Sequence, residues 1–375
     1  MKDLTKAVHI GRDVEQDTGA ITPAISLSTT FVREQDGTYR KGYQYIRSNN
    51  PNRERLEMAV ASLEGQKNAL AFSSGLAAFS AVLLTLQSKD RIILPDDMYY
   101  GGRAVVDSLV KQFGIEAVYC NQQDESEIEK AINEKTKLIW IETPSNPYLK
   151  IVDIQKIVTQ AKKFGALTAV DNTWATPMLQ NPLSLGADLV MHSTTKFIGG
   201  HSDVQGGILV PSDTNQQLFE KLLSIQKNFG AVPSPFDCWL LLRSIPTLPL
   251  RIKQQSETAL KLAQFLIDHS NIEQVLYPGL KDHVNHDVAL RQMTNGYGGM
   301  ISLITKNDEH YARKIANSTK IFKQATSLGG IESLIEHRAS VEGPNSKTSP
   351  NLLRLSIGIE DTEDLLQDLE QALED

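Results

Sequence analysis

The sequence predicts an α/β protein, with a mostly parallel sheet flanked by helices and a smaller C-terminal α+β domain. Three observations carry this expectation. Short, nearly continuous apolar runs alternate with helical patterns between Asn68 and Met191, as expected of strands buried on both faces. A proline-rich break (Pro233, Pro235, Pro246, Pro249) separates that stretch from a block of mixed strands and helices. The 375 residues are 41% hydrophobic and 22% charged, an ordinary globular composition that sets aside disordered, collagenous and coiled-coil chains.

Residues 1–52 read as an extended arm. Thr22-Pro23, the Ser26–Thr30 run, Gly37, Gly42 and Ser48-Asn49-Asn50-Pro51-Asn52 interrupt any periodic pattern. From Arg53 a helix is expected, with Leu56, Val60 and Leu63 on one face and Gly65 as its stop. Asn68–Phe72 is a strand, Leu76–Leu86 a buried helix, Arg91–Leu94 a strand and Gly102–Phe113 a helix. Lys137–Ile141 and Leu167–Val170 are strands on either side of the amphipathic helix Ile154–Phe164, and Asp188–Met191 is a further strand. The large domain is placed at residues 53–240 and the small domain at 241–375. The small domain holds helix Gln255–His269, strands Met300–Ile304 and Leu352–Ile357, and an acidic helix Thr362–Asp375.

The formal net charge of −7 argues against a nucleic-acid coat, which needs a basic surface. No apolar run approaches the ~20 residues of a spanning helix, and the N-terminus lacks the apolar stretch of a signal peptide. Cys120 and Cys238, the only cysteines, supply neither a four-thiolate metal site nor a disulfide framework. A cytoplasmic, metal-free protein with free thiols is expected.

In parallel sheets, ligands sit beyond the carboxyl ends of the strands. Four such exits stand out: Ser73-Ser74-Gly75-Leu76, Glu142-Thr143-Pro144-Ser145-Asn146, Asp171-Asn172-Thr173 and His192-Ser193-Thr194-Thr195-Lys196. The first opens a helix whose free N–H groups suit a phosphate, though taken alone an N-cap and tight turn is its plainer reading. Lys196, flanked by the hydroxyls of Ser193 and Thr195, is a candidate imine-forming amine; its ordinary reading is a surface lysine. Asp171 is a candidate partner for a cation, or else a turn acid. Together, a phosphate cradle, a carboxylate and an imine-forming amine are the contacts that pyridoxal 5′-phosphate requires. The spaced glycines of a nicotinamide site are missing.

Asp171-Asn172-Thr173-Trp174-Ala175-Thr176-Pro177, His192-Ser193-Thr194-Thr195-Lys196 and Gly200-His201-Ser202-Asp203 together resemble the trans-sulfuration enzymes of cysteine and methionine metabolism. The likeness runs from about Ile21 to Glu360. It implies the aspartate-aminotransferase-like fold (fold type I) and pyridoxal 5′-phosphate as cofactor. By position, Lys196 matches the cofactor lysine and Asp171 the partner of the pyridine nitrogen. Gly75, Leu76, Ser193 and Thr195 match phosphate contacts, and Tyr100 the tyrosine stacked on the ring. Tyr45 and Arg47 match a pair that reaches a neighbouring subunit's phosphate, which gives the arm a purpose and implies an active dimer, usually doubled into a homotetramer. Arg354 matches the arginine for the substrate α-carboxylate, with Asn146 and Ser327 as further contacts. Glu332 is a candidate for the far amino group of cystathionine, or a plain surface acid.

The resemblance implies γ-elimination or γ-replacement on cystathionine or an activated homoserine. Cystathionine β-lyase, methionine γ-lyase, homoserine-ester sulfhydrylase and a non-catalytic regulator are the alternatives. Lys196 would remove the α-proton, and Lys196 or Tyr100 the β-proton that a γ-leaving group requires. Arg103 stands where threonine is common, and His337-Arg338-Ala339-Ser340-Val341-Glu342 departs from the family's His-Pro and Met-Thr-His pattern. Gly102 stands where many methionine γ-lyases carry cysteine.

Overall fold

A computed structural model describes residues 1–344 and 346–374. Seven strands form the first sheet: β1 (Leu70–Phe72), β2 (Arg91–Pro95), β3 (Glu116–Cys120), β4 (Thr136–Glu142), β5 (Leu167–Asp171), β6 (Leu189–His192) and β7 (Gly207–Pro211). Their spatial order is β1-β7-β6-β5-β4-β2-β3. Strands β3, β2, β4, β5 and β6 run parallel, and β7 is antiparallel to both β6 and β1. Helices cover both faces, so Ile92, Ile139, Val170 and Val190 are fully buried. That burial explains the unbroken apolar runs.

The helices start where local chemistry predicts. Helix Pro51–Leu63 has proline in its first turn, and the Asn50 side chain accepts from the Asn52 and Arg53 amides. Helix Gly75–Leu83 is capped by Ser74, whose hydroxyl accepts from the Ala77 amide at 3.0 Å. Asp153 caps helix Ile154–Lys163 in the same way.

The second sheet contains β8 (Ile272–Leu276), β9 (Met300–Thr305), β10 (Lys323–Gln324), β11 (Leu334–His337) and β12 (Leu352–Ser356), in the order β10-β11-β12-β9-β8. All its pairings are antiparallel except β10 with β11. The two cores meet along helix Leu248–Ile267. Leu248 and Ile252 pack with the first core, whereas Ala259, Leu262 and Leu266 pack with the second. A division after residue 240 therefore cuts helix Pro235–Ser244, whose Cys238, Leu241 and Leu242 belong to the first core. Pro249 lies in the first turn of the long helix, where its missing N–H costs nothing. The proline-rich stretch consequently contains helix rather than linker.

The arm is less extended than expected. It begins with helix Asp3–His9, which buries Ala7, and Arg40–Gly42 form a short helical turn. Residues 23–26 are tied down: Trp239 donates to the Pro23 carbonyl at 2.9 Å, and Asn52 donates to that of Ala24 at 2.8 Å. Beyond them, Leu27 and Val32 are 67% and 85% exposed. Strands β3 and β7 were absent from the sequence expectation. The first is a half-buried edge strand without a clean apolar run, and the second is fully buried but confines its apolar run to Ile208-Leu209-Val210, between Gly206-Gly207 and Pro211.

Candidate active site

The exits of β1, β4, β5 and β6 open onto one cavity of about 340 Å³, which Thr326–Leu328, Arg338 and Arg354, in or beside the second sheet, close from the other side. Of the residues singled out in the sequence, Lys196, Tyr100, Asp171, Gly75, Leu76, Ser193, Thr195, Arg354, Asn146 and Ser327 all line it. Tyr45, Arg47 and Glu332 do not.

Asp171 ends β5 in register with Glu142 of β4. Its Oδ1 accepts from the Thr173 amide at 3.0 Å and from the Thr173 hydroxyl. That hydroxyl in turn accepts from the Ser193 amide at 2.8 Å and so ties the β5 and β6 exits together. Burial holds the Asp171 carboxyl above the usual range, while the Thr173 bonds and nearby His192 pull it down. Glu142 is raised by burial and then by the charge of Asp171, although the Tyr99 amide and the Trp140 indole donate to it. Two adjacent buried acids favour a proton or a cation between them.

Gly75 opens its helix so close to Ser193 that an added Cβ would lie 2.9 Å from both Ser193 Cβ and Oγ. The first amides of that helix, at Gly75 and Leu76, have no partner along the helix. Across the cavity, Lys196 Nζ donates to Ser327 Oγ at 2.8 Å. Burial, reinforced by the charge of Arg354, lowers the Lys196 amine to about 8. Ser327 has φ 98°, a strained conformation for a residue with a Cβ. Thr195 Oγ1 is bound to Gly206, donating to its carbonyl and accepting from its amide.

Arg354 lies in β12, across from Glu336 of β11. It donates from Nη1 to Asn146 Oδ1 at 3.0 Å and from Nη2 to the Ser327 carbonyl at 3.0 Å. Nη2 also meets Glu336 Oε2 at 2.6 Å. Burial lowers the guanidinium to about 10. Tyr100 begins helix Tyr100–Phe113 and is 52% exposed at the cavity mouth.

Glu332 lies in the turn before β11, outside the cavity and only partly buried. The acid that reaches the site region is Glu336, four residues later on the strand. Tyr45 and Arg47 sit apart from their own chain's cavity; Arg47 donates to the Lys227 carbonyl at 2.6 Å and stacks 5.8 Å from the Tyr45 ring. Sequence reasoning placed Glu142 and Thr173 at strand exits without giving them a role, and it missed Glu336. Glu142 and Glu336 did carry a signal, each being a charge attached to an otherwise buried strand.

The family model described as "Cys/Met metabolism PLP-dependent enzyme" matches residues 4–374. The chain is 45% identical to the cystathionine gamma-synthase of Mycobacterium leprae, over 98% of this chain and 96% of the relative. It is 42% identical to the cystathionine gamma-lyase of Dictyostelium discoideum, over 99% and 97% of the two chains. The solved cystathionine gamma synthase of Xanthomonas oryzae pv. oryzae in complex with cystathionine superposes with a TM-score of 0.96 at 41% identity, covering 100% of this chain and 98% of that one.

Proposed function

The chain belongs to the Cys/Met metabolism PLP-dependent enzymes, and we propose that it acts at the γ-carbon of cystathionine or of an activated homoserine, as a cystathionine γ-lyase or γ-synthase. The observation that carries this reading is the convergence of Lys196, Asp171 and Arg354 on one cavity, in a chain closely similar to a synthase solved with cystathionine.

The donor set fits pyridoxal 5′-phosphate. Asp171, a buried acid raised by its surroundings, suits a protonated ring nitrogen. The N-terminus at Gly75 and Leu76, with Ser193 and Thr195, suits a phosphate, and a side chain at Gly75 would fill that cradle. Tyr100 supplies an aromatic face at the mouth. When bound, the cofactor supplies an electron sink for the pair left at the substrate α-carbon.

The chain's residues do the remainder. Arg354, oriented by Asn146 and the Ser327 carbonyl, takes the substrate carboxylate in a paired contact that fixes the Cα–H direction. Lys196, as a neutral amine, takes the α-proton. Tyr100, or Lys196 once it has passed its first proton on, then takes a proton from Cβ. The γ-substituent leaves with its bonding pair, as cysteine thiolate from cystathionine or carboxylate from a homoserine ester. Water completes elimination to 2-oxobutyrate and ammonia, whereas addition of a cysteine thiol at Cγ completes replacement.

The lowered amine makes a pH prediction. A lysine depressed to about 8 is mostly protonated at neutral pH and neutral above its own value. Uptake of pyridoxal 5′-phosphate by the cofactor-free protein should accelerate from about pH 7 to about pH 9 and then level off. A midpoint near about 10, the ordinary lysine value, would contradict it.

The same proposal includes an oligomer, with Tyr45 and Arg47 reaching a second copy's phosphate site. The exposed apolar side chains of the arm, among them Leu27, Val32 and Tyr45, support this. A homotetramer of two such dimers is the form we favour. No helix among the described residues is long and apolar enough to cross a membrane. Two free, buried thiols, Cys120 and Cys238, suit a reducing cytoplasm. The replacement reading is tested by supplying O-acetyl- or O-succinyl-homoserine with cysteine. Cystathionine formation identifies a γ-synthase; absence of it, with cystathionine still cleaved to 2-oxobutyrate, identifies a γ-lyase.

A further inference from the structure

Arg354 is one end of a row of alternating charges. Glu336 Oε2 lies 2.6 Å from Arg354 Nη2 and 3.2 Å from Arg338 Nη1. Arg338 Nε then reaches Glu342 Oε1 at 3.0 Å. The other oxygen of Glu342 accepts from the hydroxyls of Ser346 and Thr348 at 2.6 and 2.8 Å. Side chains of Arg354, Glu336 and Arg338 are each at most 4% exposed. Arg338 lines the cavity, and it falls in the stretch that departs from the family pattern.

A short, buried pair of Arg354 with Glu336 alone would be electrically closed. A substrate carboxylate would have to expel Glu336 or add an unmatched negative charge to a dry site, and both are costly. Arg338 changes that balance by contacting the same Glu336 oxygen, which then divides its charge between two guanidinium groups. Glu342 compensates Arg338 from the far side, away from Arg354. Glu336 Oε1 is buried without a hydrogen-bond partner among the described residues, so Glu336 has an unused acceptor while it bridges the two arginines.

We infer that Arg338 is a positioning residue for substrate recognition: by sharing Glu336 with Arg354, it leaves part of the Arg354 charge free to capture the substrate carboxylate. This rests on the reading of Arg354 as the carboxylate site. It also assigns a use to the His337-Arg338 departure. Arg338 acts chiefly on ground-state capture; its charge also helps to lower the Lys196 amine, behind burial and Arg354 and against the opposing Glu336.

The test uses the holoenzyme with L-cystathionine, or with the acylated homoserine where that is the better substrate. In R338M, KM should rise about tenfold while kcat stays within about threefold. In R338M/E336Q the excess negative charge is gone, and KM should return to within about threefold of the starting enzyme. R338K, which keeps the charge, should stay close to the starting enzyme and remains measurable if R338M misfolds. An unchanged KM in R338M overturns the inference, as does a double variant no better than the single one. An R338K as impaired as R338M does the same. R354A separates the two levels: if it leaves KM unaltered, the carboxylate reading itself fails. If R354A raises KM and R338M does not, the inference alone fails.

Discussion

Replacing Lys196 by alanine lowers kcat/KM by at least about 10⁴-fold, corresponding to about 5.5 kcal/mol of lost transition-state stabilisation. The size follows from two roles carried by one amine. Lys196 is the only lysine lining the cavity among the described residues, and its Nζ lies 2.8 Å from Ser327 Oγ. In the proposed function it anchors the cofactor and then, as a neutral amine, moves protons at the substrate carbons. The variant should remain folded, because removing a desolvated amine relieves a burial penalty. Visible absorbance that borohydride discharges in the parent protein should vanish in the variant. Wild-type turnover by the alanine variant would remove the foundation of the proposed function.

Asp171→Asn is the second large effect. The expected loss in kcat is about 10² to 10³-fold, or about 3–4 kcal/mol. The amide keeps the size and the Thr173 bonds to the oxygen but gives up the charge that would hold a proton on the cofactor ring. Stability should move the other way or not at all. Asp171 sits beside Glu142, and each is raised by burial. Removing one of two neighbouring buried acids lifts their mutual repulsion. Thermal unfolding and kcat measured on the same preparation check both halves. A large drop in unfolding temperature alongside the lost activity would assign Asp171 a structural role instead.

How far the site was legible in the sequence depends on burial. The strands Lys137–Ile141 and Leu167–Val170 were readable because parallel strands covered on both faces carry unbroken apolar runs. The observed strands extend one residue further, to Glu142 and Asp171, so the site acids are the final residues of those strands. Edge strand Glu116–Cys120 was not readable, since one side of it lacks cover. Arg354 stood out by resemblance, but its counter-ion did not. Glu336 meets Arg354 only through antiparallel pairing of β11 with β12, a long-range contact that local pattern does not encode. Glu332, by contrast, precedes the strand and stays outside the cavity. Tyr45 and Arg47 belong to a different class again. Within one chain they lie off the cavity, and their proposed use depends on a second copy.

The most direct measurement of the central claim is the identity of the keto acid released when the holoenzyme is given L-cystathionine alone. Cleavage at the γ-carbon releases 2-oxobutyrate with cysteine, and this is the result the account predicts, whether the enzyme is a lyase or a synthase running elimination. Release of pyruvate with homocysteine would place the bond-breaking at the β-carbon and contradict it.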